Sequence, residues 1–399
     1  MTRRSQGEGG LSNLGPSAGE TPTLLSPTTS DSSSDSDLGD SWKLPPSGRA
    51  FIDSLIRNQL LSTEQALGFL RNNVERLETY SSAESLGKAM VKAGLLTNYQ
   101  LERIMSGTTH GLILGNHRIL DRVGAGAMGI VFVAEHLFMK RRVAIKVLPV
   151  DDECPPLLLE RFSSEMRVLA GLQHPNIVMA FDGGRLAPPY PGPPTLLYLV
   201  MELIPGGDLE QYIIDRGPVP VPQGCEWIRQ AACGLQAAHD YHLIHRDIKP
   251  SNMLLDDSGQ VKLVDFGLVR QFSSRLTDPG VLLGTVEYMS PEQSCNPSSV
   301  GSQADIYGLG ATLFWLLTGE PPYPRGRTLA DSLRLLQNTT PRRLRDVRPN
   351  TPEELDALVA RMLHRDPMRR PALPLTVMNA LLPFIGTTAS SSDAVRVGA

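Results

Sequence analysis

The order in which hydrophobic periodicity changes along the chain constrains the fold more than any other feature. From Phe51 to Met105 apolar residues recur at helical spacing. Phe51, Ile52, Leu55 and Ile56 mark one face, as do Leu67, Leu70, Val74 and Leu77, and then Leu86, Met90 and Ala93. Two near-copies of one phrase punctuate this stretch, Leu60-Leu61-Ser62-Thr63-Glu64-Gln65 and Leu95-Leu96-Thr97-Asn98-Tyr99-Gln100. Each reads as a leucine pair followed by a capping box, in which a hydroxyl and a glutamine three residues on satisfy each other's backbone N–H. After Gly111 the period shifts. Short β-like runs, among them Val143 to Leu148 and Leu196 to Met201, precede longer helical stretches. Few strands followed by mostly helices predict a small sheet-rich lobe joined to a larger helical one, an α+β fold behind a small all-α module.

The flanks carry less. Residues 1–47 are rich in Ser, Gly, Pro and Asp and end near Ser30-Asp31-Ser32-Ser33-Ser34-Asp35-Ser36-Asp37. Such a segment buries too little apolar surface to offset its ordering entropy, so a disordered tail is expected. Residues 48–110 form the helical module, whose expected role is either docking of a partner or support of its neighbour. A second flexible tail is expected over 386–399. The insertion Ala187-Pro188-Pro189-Tyr190-Pro191-Gly192-Pro193-Pro194 between two strands reads as an extended, rigid surface loop. A net charge of −4 over 399 residues favours neither nucleic acid nor a membrane surface as partner. The basic run Arg342, Arg343, Arg345 and Arg348 is read as a solvated face. Cys154, Cys225, Cys233 and Cys295 are too dispersed for a zinc site or a disulfide framework, which fits a reducing, cytoplasmic compartment. The N-terminus shows no signal-peptide pattern, and the apolar run Ile306 to Thr318 falls short of the ~20 residues a bilayer requires. No membrane insertion is expected.

The chemistry-bearing residues come in order. Gly124-Ala125-Gly126-Ala127-Met128-Gly129 has the glycine spacing that lets backbone N–H groups close over phosphate oxygens. A dinucleotide-binding turn shares that spacing but would open a helix, whereas Ile130-Val131-Phe132-Val133-Ala134 continues as a strand. In Val143-Ala144-Ile145-Lys146 the lysine faces an apolar cleft, a costly placement unless the ammonium meets anions. Glu165, on the helix after this strand, is the candidate partner for Lys146. Then come His245-Arg246-Asp247-Ile248-Lys249-Pro250-Ser251-Asn252 and Val264-Asp265-Phe266-Gly267.

These last two segments resemble the catalytic loop and the Asp-Phe-Gly motif of protein kinases, and the resemblance runs from about residue 117 to 384. It implies a bilobal kinase fold over 115–385, with a β-rich N-lobe and an α-helical C-lobe, and ATP-dependent transfer of a γ-phosphoryl group to serine or threonine hydroxyls of proteins. By resemblance, Asp247 is the catalytic base and Lys249 neutralises the γ-phosphoryl. Asn252 and Asp265 hold Mg2+, with Mn2+ as the alternative ion. Lys146, paired with Glu165, binds the α- and β-phosphates, and Val123, Gly124, Ala125, Gly126 and Gly129 cover them. Val131, Ala144 and Leu254 sandwich the adenine; Met201 is the gatekeeper. The backbone of Glu202, Leu203 and Ile204 bonds the base, and Asp208 reaches the ribose. Serine/threonine specificity is implied by Lys249 and by Gly284-Thr285 ahead of Tyr288-Met289-Ser290-Pro291-Glu292. Asp305, in Asp305-Ile306-Tyr307-Gly308-Leu309-Gly310, braces the catalytic loop, and Arg370 pairs with Glu292.

Arg246, beside Asp247, implies control by a phosphorylated residue in the loop between Asp265 and Glu292. Its wording, Gly284-Thr285-Val286-Glu287-Tyr288-Met289-Ser290-Pro291-Glu292-Gln293, resembles bacterial eukaryotic-like kinases. Thr277 is placed as their activating threonine; Pro279 stands where they often carry a second one, and a homodimer would serve autophosphorylation. Ser251 stands where basophilic kinases often place an acid, so a preference for upstream arginine is not expected. Thr277→Ala in the purified chain is expected to lower phosphate transfer severalfold; unchanged transfer removes this site as the switch.

Overall fold

The computed structural model describes residues 42–126, 129–150, 156–190, 192–266, 286–295 and 300–386. Four helices come first: α1 (Pro46–Arg57), α2 (Thr63–Asn72), α3 (Ala83–Lys92) and α4 (Asn98–Met105). Both predicted capping boxes form, Ser62 with Gln65 at the start of α2 and Thr97 with Gln100 at the start of α4. A third, Ser82 with Ser85, starts α3; serine in the Gln position hid it from the sequence pattern. The expected stripe fails at Val74. The α-helix ends at Asn72, so Val74 opens a 3-10 turn (Val74–Thr79) and stands 56% exposed, while Ala66, Phe69 and Leu70 take the buried face. Periodicity does not carry across a helix end.

A six-stranded antiparallel sheet comes next, in the order β1-β2-β3-β4-β6-β5. Its strands are β1 (Ile113–Leu114), β2 (His117–Gly126), β3 (Gly129–His136), β4 (Arg142–Val150), β5 (Ala180–Leu186) and β6 (Thr195–Met201). α5 (Pro156–Gly171) lies between β4 and β5. β4 is apolar on both faces because both are covered. Ala144, Leu148 and Val150 join the main core, whereas Val143, Ile145 and Val147 form a second cluster with Leu114, Ile119, Phe132, Tyr198 and Val200, against which Tyr99 of α4 packs. Helices and sheet belong to one unit that starts at Trp42.

The helical lobe contains α6 (Leu209–Arg216), α7 (Val221–Asp240), the hairpin β7 (Met253–Leu255) and β8 (Val261–Leu263), α8 (Pro291–Cys295), α9 (Gln303–Thr318), α10 (Leu329–Asn338), α11 (Leu344–Val347), α12 (Glu353–Met362) and α13 (Pro374–Leu381). α9 is apolar all round and is buried from Ala304 to Leu317, as such a helix must be. Among the described residues no helix is long and apolar enough to cross a membrane.

His117 is a polar liability in the sheet. It is 4% exposed, its ring meets His136 edge-on at 4.9 Å, and its Nδ1 has no hydrogen-bond partner among the described residues. Burial first, then His136, holds its imidazole below the usual histidine range, with Asp182 acting the other way. Below about pH 6.5 the unfolded chain takes up a proton here that the folded chain resists, so this residue's share of stability is present above that pH and is lost as pH falls. His117→Leu is expected to shrink the drop in urea midpoint between pH 7.5 and 5.5; an unchanged drop contradicts this.

Candidate active site

The cleft is built from four short stretches. The first is the hairpin of β2 and β3. Gly126 and Gly129 pair across its tip, and Gly129 adopts φ +110 with its backbone so close to β4 that a Cβ would stand 2.4 Å from the Val147 carbonyl oxygen. Only glycine fits there. Val123, Gly124 and Ala125 are exposed on the rim. Ala127 and Met128 lie outside the described residues.

β4 delivers the second group. Its alternation turns Lys146 to the same face as Ala144, and its neighbours in register are Val131 and Leu199. The ammonium, nearly buried, lies 2.7 Å from Asp265 Oδ1. A buried ammonium needs such a partner. The side chain of Glu165, on α5, lies outside the described residues, as do Gly267, Thr277, Gly284 and Thr285, so those expectations have no structural counterpart here.

The third stretch links the lobes. Ala144 and Met201 are register partners, and Val131, Leu203 and Ile204 pack on the same apolar cluster. Leu254 is half-buried between buried Met253 and Leu255, and is bridged to Asp208. The structure refines two expectations. The Glu202 N–H is already donated to the Met179 carbonyl at 2.9 Å, and its carboxylate accepts from the Met179 N–H and from Lys262, both at 2.8 Å. The donors left for a base are therefore those of Leu203 and Ile204. Asp208 caps α6, its Oδ1 accepting from Gln211 N–H at 2.8 Å.

The fourth is the loop after α7. Asp247 is buried, and its Oδ2 accepts from Lys249 Nζ and Asn252 Nδ2, both at 3.0 Å. Asn252 Nδ2 also bonds the Asp247 carbonyl at 2.7 Å, and the Asn252 carbonyl accepts from Val264 N–H at 3.1 Å, which ties this loop to Asp265. His245 bonds the Val264 carbonyl at 2.8 Å, and its ring lies 4.6 Å from that of Phe266. Burial holds the His245 imidazole below its ordinary range, against the pull of Asp305 and Asp247. Arg246 (φ +63) and Asp265 (φ +61) are both left-handed, a strain that survives only where surrounding contacts over-determine it. Those contacts are visible. Asp305 of α9 accepts from the backbone N–H of His245 at 2.9 Å and of Arg246 at 2.7 Å, and lies 2.8 Å from His239 Nε2. Sequence reasoning found that brace and the Arg370–Glu292 pair, bidentate at 2.6 and 2.8 Å. It missed His239 and also Gln293, whose amide donates to the Arg246 carbonyl at 2.8 Å while its oxygen accepts from Ser290. Neither residue carries a charge pattern that marks it in the sequence.

A hard cation suits what is left over. Asn252 directs its nitrogen at Asp247 and Asp265 gives one oxygen to Lys146, which leaves Asn252 Oδ1 and Asp265 Oδ2 as oxygen donors. Among the described residues no three His, Cys, Asp or Glu side chains gather into an all-protein metal cage, and an ion held also by phosphates and water needs none.

This geometry defines a bilobal phosphotransferase fold. Residues 117–381 match the protein kinase domain family, and the chain belongs to that family, among its bacterial eukaryotic-like serine/threonine members. It is 35% identical over 259 residues to serine/threonine-protein kinase PrkC of Bacillus subtilis, covering 65% of this chain and 39% of that one. To serine/threonine-protein kinase PknL of Mycobacterium bovis it is 35% identical over 260 residues, covering 65% and 63%. The chain thus spans well under two thirds of the length of PrkC. A crystal structure of the PknI kinase domain of Mycobacterium tuberculosis superposes with a TM-score of 0.53 at 27% identity, covering 69% of this chain and 98% of that one.

The catalytic loop rests on α9 through Gly308. A Cβ there would stand 2.7 Å from Ile248 Cβ and 2.8 Å from its carbonyl oxygen. Gly308→Ala is expected to cost about 1–3 kcal/mol by overpacking, read from urea unfolding, and to lower phosphate transfer; full stability and full transfer contradict the close fit.

Proposed function

We propose that this chain is an ATP-dependent serine/threonine protein kinase, with residues 115–385 as the catalytic domain and residues 48–110 as a helical module on it. The observation that carries the reading is the convergence of Lys146, Asp247, Lys249, Asn252 and Asp265 on one cleft beside a glycine hairpin. In this reading Asp247 orients the substrate hydroxyl and accepts its proton, held at the right angle by Asn252 and Lys249. Lys249 then faces the negative charge that shifts onto the transferring group. Lys146 binds the α- and β-phosphates, with Glu165 as its expected second partner. The glycine N–H groups of the hairpin exclude water and fix the phosphates. Val131, Ala144, Leu254 and Met201 receive the adenine, and the ribose comes to Asp208. Mg2+, or Mn2+ in its place, would be held by Asn252 and Asp265 and would neutralise phosphate charge. The protein contributes positioning and electrostatics rather than covalent chemistry.

Arg246 and Thr277 are proposed as the regulatory pair, and a transient homodimer as the route to autophosphorylation. Proteins are the proposed substrates, and the cytoplasm is the proposed location, supported by the dispersed cysteines. The test is transfer from labelled ATP with Mg2+, using a generic basic protein and autophosphorylation as readouts. Asp247→Asn is expected to cut transfer by about 10²–10⁴-fold, the usual worth of a general base. A folded wild-type chain that transfers nothing, even after phosphorylation of Thr277, overturns the reading in favour of a nucleotide-binding scaffold.

A further inference from the structure

The described helices of the module carry three capping boxes, and they are not equivalent. Those at Ser62–Gln65 and Ser82–Ser85 are exposed and only satisfy their own helix ends. The third is turned inward, with Thr97 half-buried. Gln100, 1% exposed, accepts from Thr97 N–H at 2.9 Å and turns its amide nitrogen to the Ile119 carbonyl at 2.5 Å. The Thr97 hydroxyl accepts from Gln100 N–H and donates to the Leu120 carbonyl. A cap alone needs neither the burial nor the two bonds to a strand. These bonds hold an irregularity in β2. Ile119 faces Ala134 and Asp121 faces Val133, so Leu120 is an extra residue, a bulge. On the other edge β1 pairs only with His117 and Arg118. A bulge interrupts the ladder, bends the strand and re-aims the residues beyond it. Only Asp121 and Arg122 are paired between this bulge and a second one at Val123, and Gly124 comes next. Two further ties converge on this stretch of sheet. The Arg118 guanidinium bonds the Leu60 carbonyl at 2.7 Å and Glu135 at 3.1 Å, and the ring of Tyr99 packs 5.8 Å from that of Phe132, the register partner of Arg122. Both leucine-pair turns of the module thus grip one strand, a few residues before its glycines.

We infer that Thr97 and Gln100 are positioning residues for the glycine-rich hairpin: they lock the β2 bulge, and through it set where Gly124, Gly126 and Gly129 stand over the nucleotide phosphates. The inference rests on the kinase reading of that hairpin. It makes the helical module a fixed part of the nucleotide site rather than an independent docking domain. Freed of the clamp, the bulge can migrate along β2, and a one-residue slip reverses which side chains face the cleft.

The test uses the full chain with Thr97→Val, Gln100→Leu and, as the conservative control, Thr97→Ser, which keeps the hydroxyl. KM for ATP and for a protein substrate, kcat, the affinity for a fluorescent ATP analogue, Tm, and amide exchange over residues 121–126 and 129–132 are measured for each. In Thr97→Val and Gln100→Leu, KM for ATP and the analogue Kd are expected to rise about three- to tenfold, the size of one lost buried hydrogen bond. KM for the protein substrate stays unchanged, exchange in the hairpin quickens, and Thr97→Ser behaves as wild type. A lowered Tm with nucleotide affinity within twofold of wild type and unaltered hairpin exchange would overturn the proposal, leaving the contact merely structural. Hairpin exchange and analogue binding need no turnover, so a wild-type chain that transfers nothing counts against the kinase reading and leaves these two readouts to decide the clamp. Should Gln100→Leu fail to fold, Thr97→Val against Thr97→Ser still decides it.

Discussion

Asp305 lies in the first turn of a helix that has no exposed face, and its two oxygens take the backbone N–H groups of His245 and Arg246 and approach His239. A carboxylate at 1% exposure is a heavy desolvation cost, and only multiple donors in good geometry offset it. The same bonds satisfy two main-chain donors that would otherwise cost about 1–3 kcal/mol each if left buried and unpaired. The rest of the site hangs on this arrangement. With His245 and Arg246 held, the chain can take the left-handed turn at Arg246, Asp247 emerges toward Lys249 and Asn252, and Asn252 and His245 in turn hold Val264 ahead of Asp265. Gly308, one turn along α9, lets that helix come close enough to Ile248 for the bonds to form.

The sheet lobe answers a different constraint. Its central strand β4 is apolar on both faces, with Lys146 the buried exception. A strand like that must be covered twice. The inner face meets α5 and the helical lobe's core, and the outer face meets a second apolar cluster that α4 helps to close through Tyr99. The helical module therefore does part of the burial that the sheet requires. Its contacts reach β2 where the ladder is broken, and β2 carries the glycines. Packing, strand register and the glycine hairpin are in this way coupled through a few side chains.

Much of the site was legible in the sequence because its chemistry demands fixed residue types at fixed spacings. Lys146, Asp247, Lys249, Asn252 and Asp265 could be listed from the order of their motifs, and Asp305, Glu292 and Arg370 from theirs. Capping boxes at Ser62 and Thr97 were legible because a cap is a local exchange of hydrogen bonds over four residues. Failures came where a distant partner or an element's end decides. Val74 was assigned to a buried stripe that the end of α2 had already interrupted. The Glu202 backbone was expected to bond the base, and its N–H is committed to Met179, so only its carbonyl is left for that role; Asp208 is in addition a helix cap. Gln293 and His239, which hold Arg246 and Asp305, carry no charge pattern that a linear reading can detect.

By itself the sequence determined the family, the order of lobes and which polar residues to look for in the cleft, since these depend on local pattern and on residue identities at fixed spacings. Tertiary structure alone decided what each polar group is bonded to. Two nearly identical leucine-pair caps diverge in this chain, one left to solvent and the other turned inward against a bulged strand. The difference is in the neighbour rather than in the phrase. A buried carbonyl takes whatever donor long-range packing brings within reach, and nothing in the spacing of Thr97 and Gln100 says that Leu120 and Ile119 will be there.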